Sequence, residues 1–369
     1  MISRPGTASA IVIASLSLIA LGCQPSATPG QQSAPTRSSR EFLADETAAV
    51  LDANSAGRLS SDAIKALEAE VAKNPADIGA RTKILGYYFA NRGSKSTRRE
   101  SREHVLWLIR NAPGTPILGT PYGEIDYYLY PKLFAAGKKA WRAQMDKHPS
   151  NLRVLASFAN YMQHADIEQA LEALAEAFTL DPDNPLWPTR IGGLHRLAII
   201  GGSPEAQVKS AELALEHFEI AYRQTKGIRQ VSLLNDLASM ALAANQLDKA
   251  KRYAEEMLRR RTVAGRLDDS NLHHGNVALG LIALRNDAVD DAKQHLLEAG
   301  RTPESPALRS FGPNMMLAKE LLQRGEKEVV LRYLEQCSTF WVSGKDQLNQ
   351  WSELIRAGKT PDFGSNLRY

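Results

Sequence analysis

The chain has 369 residues, of which 43% are hydrophobic and 23% are charged. This composition is that of an ordinary globular protein, so it excludes a wholly disordered chain, a collagen and a multi-span membrane protein. Lys and Arg number 45 against 41 Asp and Glu, an excess too small and too dispersed to indicate a nucleic-acid partner. The two cysteines give no disulfide framework within the chain.

The N-terminus has the pattern of an export signal. Arg4 precedes an apolar stretch from Ala8 to Leu21, which is shorter than the roughly 20 residues of a membrane-spanning helix but suits the core of a signal peptide. Gly22 and Cys23 follow at once. We therefore interpret residues 1–22 as a signal peptide.

The residues around the cysteine, Ala20-Leu21-Gly22-Cys23, resemble the lipobox of bacterial lipoproteins. The resemblance implies a cell-envelope protein whose Cys23 is the first mature residue and carries the lipid; Gln24 in place of an aspartate favours the outer membrane, facing the periplasm. Residues 23–41 are rich in Ser, Pro, Gln and Thr, which is typical of a flexible tether. A plain secretory signal with an accidental cysteine is the alternative.

From Phe42 onward the apolar residues recur at helical spacing, and no alternating strand pattern is convincing, so the sequence predicts an all-α body. Residues 42–149 form N-terminal helices in this interpretation. A Gly/Pro-rich segment at 113–123 interrupts them and predicts a joint or an exposed loop. An aromatic helix is expected after it, with Tyr127, Tyr128, Tyr130, Phe134 and Trp141.

One set of offsets recurs through the second half of the chain. Gly280 is followed at fixed spacing by Ala292, Leu296 and Ala299. The equivalent positions elsewhere are Phe158, Ala170, Leu174 and Ala177; Ala238, Ala250, Ala254 and Met257; Ala318, Val330, Leu334 and Cys337; and, with a longer connection, Gly192, Ala214, Phe218 and Ala221.

These offsets resemble the tetratricopeptide repeat, whose hairpins place small residues where two helices cross. The resemblance covers residues 150–344, with a looser hairpin near Leu85-Gly86-Tyr87-Tyr88. It implies an α/α superhelical solenoid with N- and C-terminal capping helices, the last of them within residues 345–369. Phe363 and Leu367 are expected to fold back on that end. A generic antiparallel helical solenoid would explain the same spacings.

The resemblance also implies that the first helix of each hairpin lines a concave surface. No carboxylate is among the residues that the resemblance places on this surface, so the surface is expected to be apolar to weakly basic. Such a surface favours an extended peptide with hydrophobic anchors or acidic side chains. The candidate partner-binding residues are Lys83, Tyr87, Arg196, Asn235, Ser239, His274, Arg285 and Lys319, joined on the apolar side by Leu155, Ala159, Met162, Leu281 and Met315.

The sequence holds no recognisable catalytic, metal or cofactor motif. The eight histidines are not at metal-ligand spacing, and the adjacent pair His273-His274 is interpreted as surface or capping residues. Cys337 occupies a small buried contact position rather than the place of a nucleophile. Basic runs, including Arg259-Arg260-Arg261, are interpreted as solvated helix ends, with contact to anionic lipid headgroups as the functional alternative.

Two functions remain from the sequence. The first is a non-enzymatic, lipid-anchored scaffold of the cell envelope that binds a partner protein or an extended peptide on a concave helical surface. The alternative is a hydrolase acting on an envelope polymer, with its site near residues 114–141. The sequence alone does not identify the partner or the oligomeric state.

Overall fold

The computed structural model describes residues 39–91, 95–260, 262–263, 266–267, 269–302 and 305–367. Contacts divide the chain into Met1–Thr36 and Arg37–Tyr369. The predicted signal peptide, Cys23 and the tether up to residue 38 lie outside the described residues. Residues 39–41, expected to end the tether, are already helical. Among the described helices, none is long and apolar enough to cross a bilayer.

The N-terminal part of the described chain consists of helices joined by short connections. They are α1 (Ser39–Ser55), α2 (Ser61–Lys73), α3 (Ile78–Ala90), α4 (Lys95–Asn111) and α5 (Pro131–Lys147). Two short 3-10 helices, Pro116–Gly119 and Pro121–Gly123, connect α4 to α5 and are together called the 3-10 strap. The side chains of Ser60 and Asp77 accept backbone N–H groups and so fix the starts of α2 and α3.

The remaining helices follow in the repeat region and its end. They are α6 (Leu152–Met162), α7 (Ile167–Leu180), α8 (Leu186–Ala198), α9 (Pro204–Gln224), α10 (Ile228–Ser232), α11 (Leu234–Ala243), α12 (Leu247–Arg259), α13 (Asp269–Arg285), α14 (Val289–Gly300), α15 (Pro306–Phe311), α16 (Met316–Gln323), α17 (Lys327–Cys337) and α18 (Lys345–Arg356). A small antiparallel pair, β1 (Thr262–Val263) and β2 (Arg266–Leu267), connects α12 to α13.

The helices pack as consecutive antiparallel pairs: α6 with α7, α8 with α9, α11 with α12, α13 with α14 and α16 with α17. Each pair also packs on the next. This confirms the all-α solenoid of helical hairpins that the spacings predict. The small positions of the predicted offsets are buried in every pair, with Ala170, Ala214, Ala250 and Ala292 all 0% exposed. Helices can cross closely there because no larger side chain separates them.

Three hairpin turns share one backbone conformation. Asn245, Asp287 and Gly325 have φ of 56°, 60° and 86°, and each lies between the two helices of its hairpin. The following residue donates its N–H to a carbonyl five residues earlier in the chain, at 2.8 Å for Gln246, 2.9 Å for Ala288 and 3.0 Å for Glu326. Asn, Asp and Gly are the residues that adopt positive φ most readily. The repeats are therefore equivalent in their turns as well as in their crossings.

The C-terminal end is closed as predicted. Helix α18 buries Leu348, Trp351 and Ile355 against α17. Phe363 is 2% exposed and meets Trp351 edge to face with ring centroids 5.0 Å apart. Leu367 packs on the same core. The final hairpin is thus shielded from water by the cap and by the segment after it.

His273 is a core residue and not the surface or capping residue that the sequence predicted. Its side chain is 0% exposed, its Nδ1 lies 3.1 Å from the carbonyl oxygen of Ala299, and its Nε2 accepts the backbone N–H of Asn314 at 2.9 Å. The ring therefore joins α13 to α14 and to the segment before α16. Burial, together with the neighbouring His274, lowers the pKa of His273 to about 3.

Cys337 is fully buried in its hairpin, as its position among the repeats predicted. Burial raises the pKa of its thiol. A thiol that stays protonated and has no access to solvent is a small apolar contact group.

We expect Ala292→Phe to lower the free energy of unfolding by about 1–3 kcal/mol, because the aromatic ring would separate α13 from α14. Gln294→Phe is the matched control, since Gln294 is exposed on the same helix. Urea denaturation of both variants measures the difference. Equal, small effects of the two substitutions would show that the crossing is not tight.

His273 predicts a loss of stability in acid. The ring is neutral in the folded chain and has an ordinary pKa of about 6.5 when unfolded. The contribution of His273 to stability is therefore full well above pH 6.5 and falls as the pH is lowered toward 3, by about 2 kcal/mol between neutral pH and pH 5. We expect His273→Gln to be less stable than wild type at pH 7 but to depend less on pH. His164→Gln, at an exposed position, is the control substitution.

Candidate binding cleft

Helix α1 lies on the first helices of the first two hairpins. The ring of Phe42 meets that of Trp187, on α8, edge to face at 5.3 Å, and the guanidinium carbon of Arg153, on α6, stands 3.5 Å from the centroid of Phe42. Both Arg153 guanidinium Nη atoms also donate to the carbonyl oxygen of Phe42, at 3.3 Å. The N-terminal helix therefore covers part of the surface that a simple solenoid would leave open.

A buried carboxylate fixes α1 in this place. Glu46 is 9% exposed and accepts hydrogen bonds from Arg190 Nη2 at 2.8 Å and from Arg153 Nη1 at 3.3 Å. Gly119 of the 3-10 strap lies so close that a Cβ there would come within 2.6 Å of a Glu46 oxygen. One carboxylate thus joins α1, α6, α8 and the strap, and removal of any partner would leave buried charge uncompensated.

The 3-10 strap is buried, although the sequence predicted a joint or an exposed loop. Ile117 is 0% and Leu118 is 1% exposed, and Tyr122 donates its hydroxyl to Asn54 Oδ1 at 2.5 Å. Pro116 and Pro121 each begin one short helix, so the prolines shape the segment without exposing it. The apolar side chains between them bring it into the core with α1 and α6.

A cleft of about 910 Å³ opens beside the strap, between α3, α4, α5 and α6. This volume is in the range of small-molecule and peptide pockets. Aromatic side chains and polar side chains both line its wall. The lining consists of Leu85, Tyr88, Phe89, Ser101, Arg102, Pro121, Tyr122, Glu124, Ile125, Asp126, Tyr127, Leu129, Phe134, Asn160, Tyr161 and His164. We call it the aromatic cleft.

The rings of the aromatic cleft are held in place by one another. Phe134 and Tyr161 stack with centroids 4.8 Å apart and planes inclined by 4°, and Tyr127 meets Phe134 edge to face at 6.1 Å. Tyr161 also donates its hydroxyl to the carbonyl of Phe134 at 3.0 Å, and burial raises its pKa. The cleft therefore presents rigid apolar faces, which bind partners at low entropic cost.

The rim of the aromatic cleft exposes large apolar side chains. Tyr127, Tyr128 and Leu129 are 46%, 82% and 57% exposed. Asp126 Oδ1 accepts the N–H groups of Tyr128 at 2.9 Å and Leu129 at 2.7 Å, which turns the chain outward before α5 begins at Pro131. The predicted aromatic helix thus starts later than expected, and Tyr127 to Tyr130 form a turn.

The polar groups of the cleft have structural partners. Glu124 accepts from Gln163 Nε2 at 3.1 Å, Asp126 holds the rim turn, and the Arg102 guanidinium lies 3.4 Å from the centroid of Tyr130. Among the residues that the structure describes, no three His, Cys, Asp or Glu side chains are grouped so that they could hold a metal ion. The arrangement is suited to binding an apolar segment by its side chains.

A smaller cleft of about 400 Å³ continues along α6 and α8. It shares Asn160 and His164 with the aromatic cleft. Arg190, Arg196 and Leu197 lie on its other side. A chain segment longer than one side chain can therefore extend from one cleft into the other.

The partner-binding residues predicted from the sequence do not meet in one site. Arg196 lines the smaller cleft, while Lys83 and Tyr87 are on α3. The others are partly buried or exposed on the first helices of later hairpins: Asn235 and Ser239 on α11, His274 and Arg285 on α13, and Lys319 on α16.

The predicted character of the concave surface is wrong in two respects. Leu155, Met162, Leu281 and Met315 are at most 3% exposed, because neighbouring elements cover them, and Ala159 is nearly buried at the edge of the smaller cleft. They belong to the core.

Three of the predicted cations have carboxylate partners, which lowers the positive charge of the surface. Arg196 lies 3.1 Å from Asp236 and Arg285 lies 2.7 Å from Glu320, each pair linking the first helices of successive hairpins. Lys83 is 3.9 Å from Asp52. The family pattern indicates which helix of a hairpin faces inward. It does not indicate which carboxylates of the adjacent helix form ion pairs with the cations on that helix.

The residues that sequence reasoning missed are Tyr88, Phe89, Tyr122 and Asn160 of the cleft wall. The aromatic stretch from Tyr127 was singled out in the sequence only as the site of the alternative hydrolase. The sequence feature that indicates the rim turn is the run of three tyrosines and a leucine between Asp126 and Pro131, because aspartate and proline are both favoured in turns.

Comparisons with protein-family models and with curated proteins give no match. Among solved structures, one described as "Functional Characterization of Pseudomonas Aeruginosa pilF" is 18% identical over 71% of this chain and 99% of that chain, with a TM-score of 0.38. A likeness of this degree carries no argument about function. The helical hairpins themselves define the class of protein, an all-α solenoid of paired helices.

Proposed function

We propose that this chain is a protein-interaction module that holds an extended, apolar segment of a partner protein in the aromatic cleft. The observation that carries the proposal is the exposed trio of Tyr127, Tyr128 and Leu129 at the rim of a cleft lined by fixed rings. Contiguous exposed apolar side chains mark interaction sites on soluble proteins. Tyrosines next to a pocket are enriched among the residues that dominate binding energy.

The shape and charge of the site favour a peptide with aromatic or aliphatic anchors. Asn160 and His164 line both the aromatic cleft and the smaller cleft, so the two clefts are neighbours that an extended segment could bridge. The amide groups of Asn160 and Gln163 already bind one another and the strap, so the apolar side chains supply the main contacts for a peptide. The neighbouring arginines are engaged with Glu46 and Asp236, which makes an acidic ligand less favourable than an uncharged one.

We further propose that the module is a lipoprotein of the bacterial cell envelope, anchored through Cys23 in the outer membrane and facing the periplasm. The support is the sequence Ala20-Leu21-Gly22-Cys23 after an apolar core, with Gln24 behind it. A lipoprotein cysteine carries more than one acyl chain, and several chains bind a membrane firmly where one binds only marginally.

No observation on the described residues of the cleft favours the alternative of an envelope-polymer hydrolase. Glu124 binds Gln163 and Asp126 holds the rim turn, so each of these carboxylates has a structural task.

The cleft is tested by selecting random peptides displayed on phage against the purified protein. We expect enrichment of peptides with aromatic or aliphatic residues at alternate positions, because an extended chain presents every second side chain to one wall. The double substitution Tyr127→Ser with Leu129→Ser should weaken binding of the selected peptides by at least about tenfold, since two exposed anchors are lost.

The matched control is Phe311→Ser, which removes another exposed apolar side chain, 69% exposed, away from the cleft. Peptides that bind the rim variant as well as wild type would contradict the assignment. If Asn235→Ala with Lys319→Ala abolishes binding while the rim variant retains it, the concave surface of the later hairpins is the site instead.

Lipid attachment is tested by growing cells that produce the chain with labelled palmitate. Cys23→Ala should abolish the label and move the protein from the membrane fraction to the soluble fraction. The variant Cys337→Ala is the control, because Cys337 is buried, and it should keep the label. Unlabelled wild-type protein would rule out the anchor without bearing on the peptide cleft.

A further inference from the structure

The described chain begins at one edge of the repeat region. The hydroxyl of Ser39, the first residue of α1, lies 3.2 Å from Arg229 Nη1 on α10. Helix α10 is the short connection between the second and third hairpins. The residues before Ser39 therefore leave the described body next to α10, whatever path they follow.

The same edge exposes an isoleucine. Ile228, the first residue of α10, is 67% exposed. It follows Gly227, whose φ of 65° is open to glycine and turns the chain outward. Ile228 makes no contribution to a core from this position.

Basic side chains surround this isoleucine. Arg223 and Lys226 precede it, at the end of α9, and both are exposed. The end of α12 is brought alongside by Arg260, whose Nη1 donates to Gln230 Oε1 at 2.9 Å, and the adjacent Arg259 is exposed. We call the group Arg223, Lys226, Ile228, Arg229, Arg259 and Arg260 the basic edge.

The carboxylates near the basic edge do not cancel it. Glu256 binds Arg260 at 3.1 Å and the Tyr222 hydroxyl at 2.6 Å. Asp183 belongs to the α7–α8 turn, whose Pro182 carbonyl accepts from Gln224 at 2.8 Å. Within the part of the chain that the structure describes, Arg223, Lys226 and Arg259 form no ion pair. The basic edge therefore presents positively charged side chains near the exposed side chain of Ile228.

We propose that the basic edge rests on an anionic lipid surface and orients the solenoid on the membrane. This membrane contact is separate from the peptide cleft and rests in part on the proposed attachment at Cys23. The stretch from Cys23 to Ser39 reaches at most about 55 Å when fully extended, so an anchored chain keeps this edge near the bilayer. Cations attract acidic headgroups while an exposed isoleucine enters the interfacial region, and this combination matches a lipid surface better than a purely polar partner.

The test measures co-sedimentation of the mature chain, starting at residue 23 and carrying Cys23→Ser, with vesicles. We expect binding to vesicles of phosphatidylglycerol and phosphatidylethanolamine, little binding to phosphatidylcholine, and loss of binding at high salt. Changing Arg223, Lys226 and Arg259 together to Glu should weaken binding by at least about tenfold. Ile228→Ser should weaken binding at low salt, although this substitution leaves the charge of the basic edge unchanged.

The matched control changes Lys345, Arg356 and Lys359 to Glu. These residues are exposed in and just after α18, and the change in net charge is the same. The proposal is overturned if wild type does not bind the anionic vesicles, if the control loses binding equally, or if the basic edge binds duplex DNA or polyglutamate in preference to vesicles. Because the protein is unlipidated and the peptide cleft is intact, these outcomes are independent of lipid attachment and of peptide binding.

Discussion

The architecture depends on how closely the two helices of each hairpin approach each other. Alanines at the crossings are fully buried, and at Gly192 on α8 a Cβ would come within 2.9 Å of the ring of Phe218 on α9. The small residues bring the backbones together, so the larger apolar side chains project toward the neighbouring hairpin instead. Each hairpin is therefore completed by the next, and the cap after α17 is required rather than optional.

This constraint explains how much of the fold could be predicted. Side-chain size at a crossing is a local property, so the offset from Gly280 to Ala292 and Ala299 identifies a hairpin without knowledge of its neighbours. The turns at Asn245, Asp287 and Gly325 are equally local, since each needs a residue that tolerates positive φ. The repeats and the closing helix were accordingly predicted well.

The binding surface could not be predicted in the same way, because it depends on elements distant in the chain. Leu155 and Met162 are on a helix that the family pattern turns inward, but both side chains are buried by neighbouring elements. Arg190 is predicted by no pattern to meet Glu46, which is 144 residues away. His273 was misplaced for a similar reason, since its partners Ala299 and Asn314 belong to later segments.

The cations on the inner side of the solenoid differ from those of the basic edge in whether they form ion pairs. Arg196 and Arg285 face carboxylates on the next hairpin, so the inner side is nearly neutral and its recognition depends on rings and amides. Within the described residues, Arg223 and Lys226 at the end of α9 and Arg259 at the end of α12 have no such partners. The proposed roles of the two regions, holding a peptide and meeting lipid headgroups, follow this division.

The contacts of Glu46 with residues distant in the sequence affect the order in which the chain folds. Helix α1 is synthesised first, yet its carboxylate finds its two arginines only after α6 and α8 exist, and the intervening loop must close before that contact gives any stability. Helix α1 can pack on α3 early, because the two are close in the chain. Its contacts through Glu46 and Phe42 form only once α6 and α8 are present, so this side of α1 is completed after the first two hairpins.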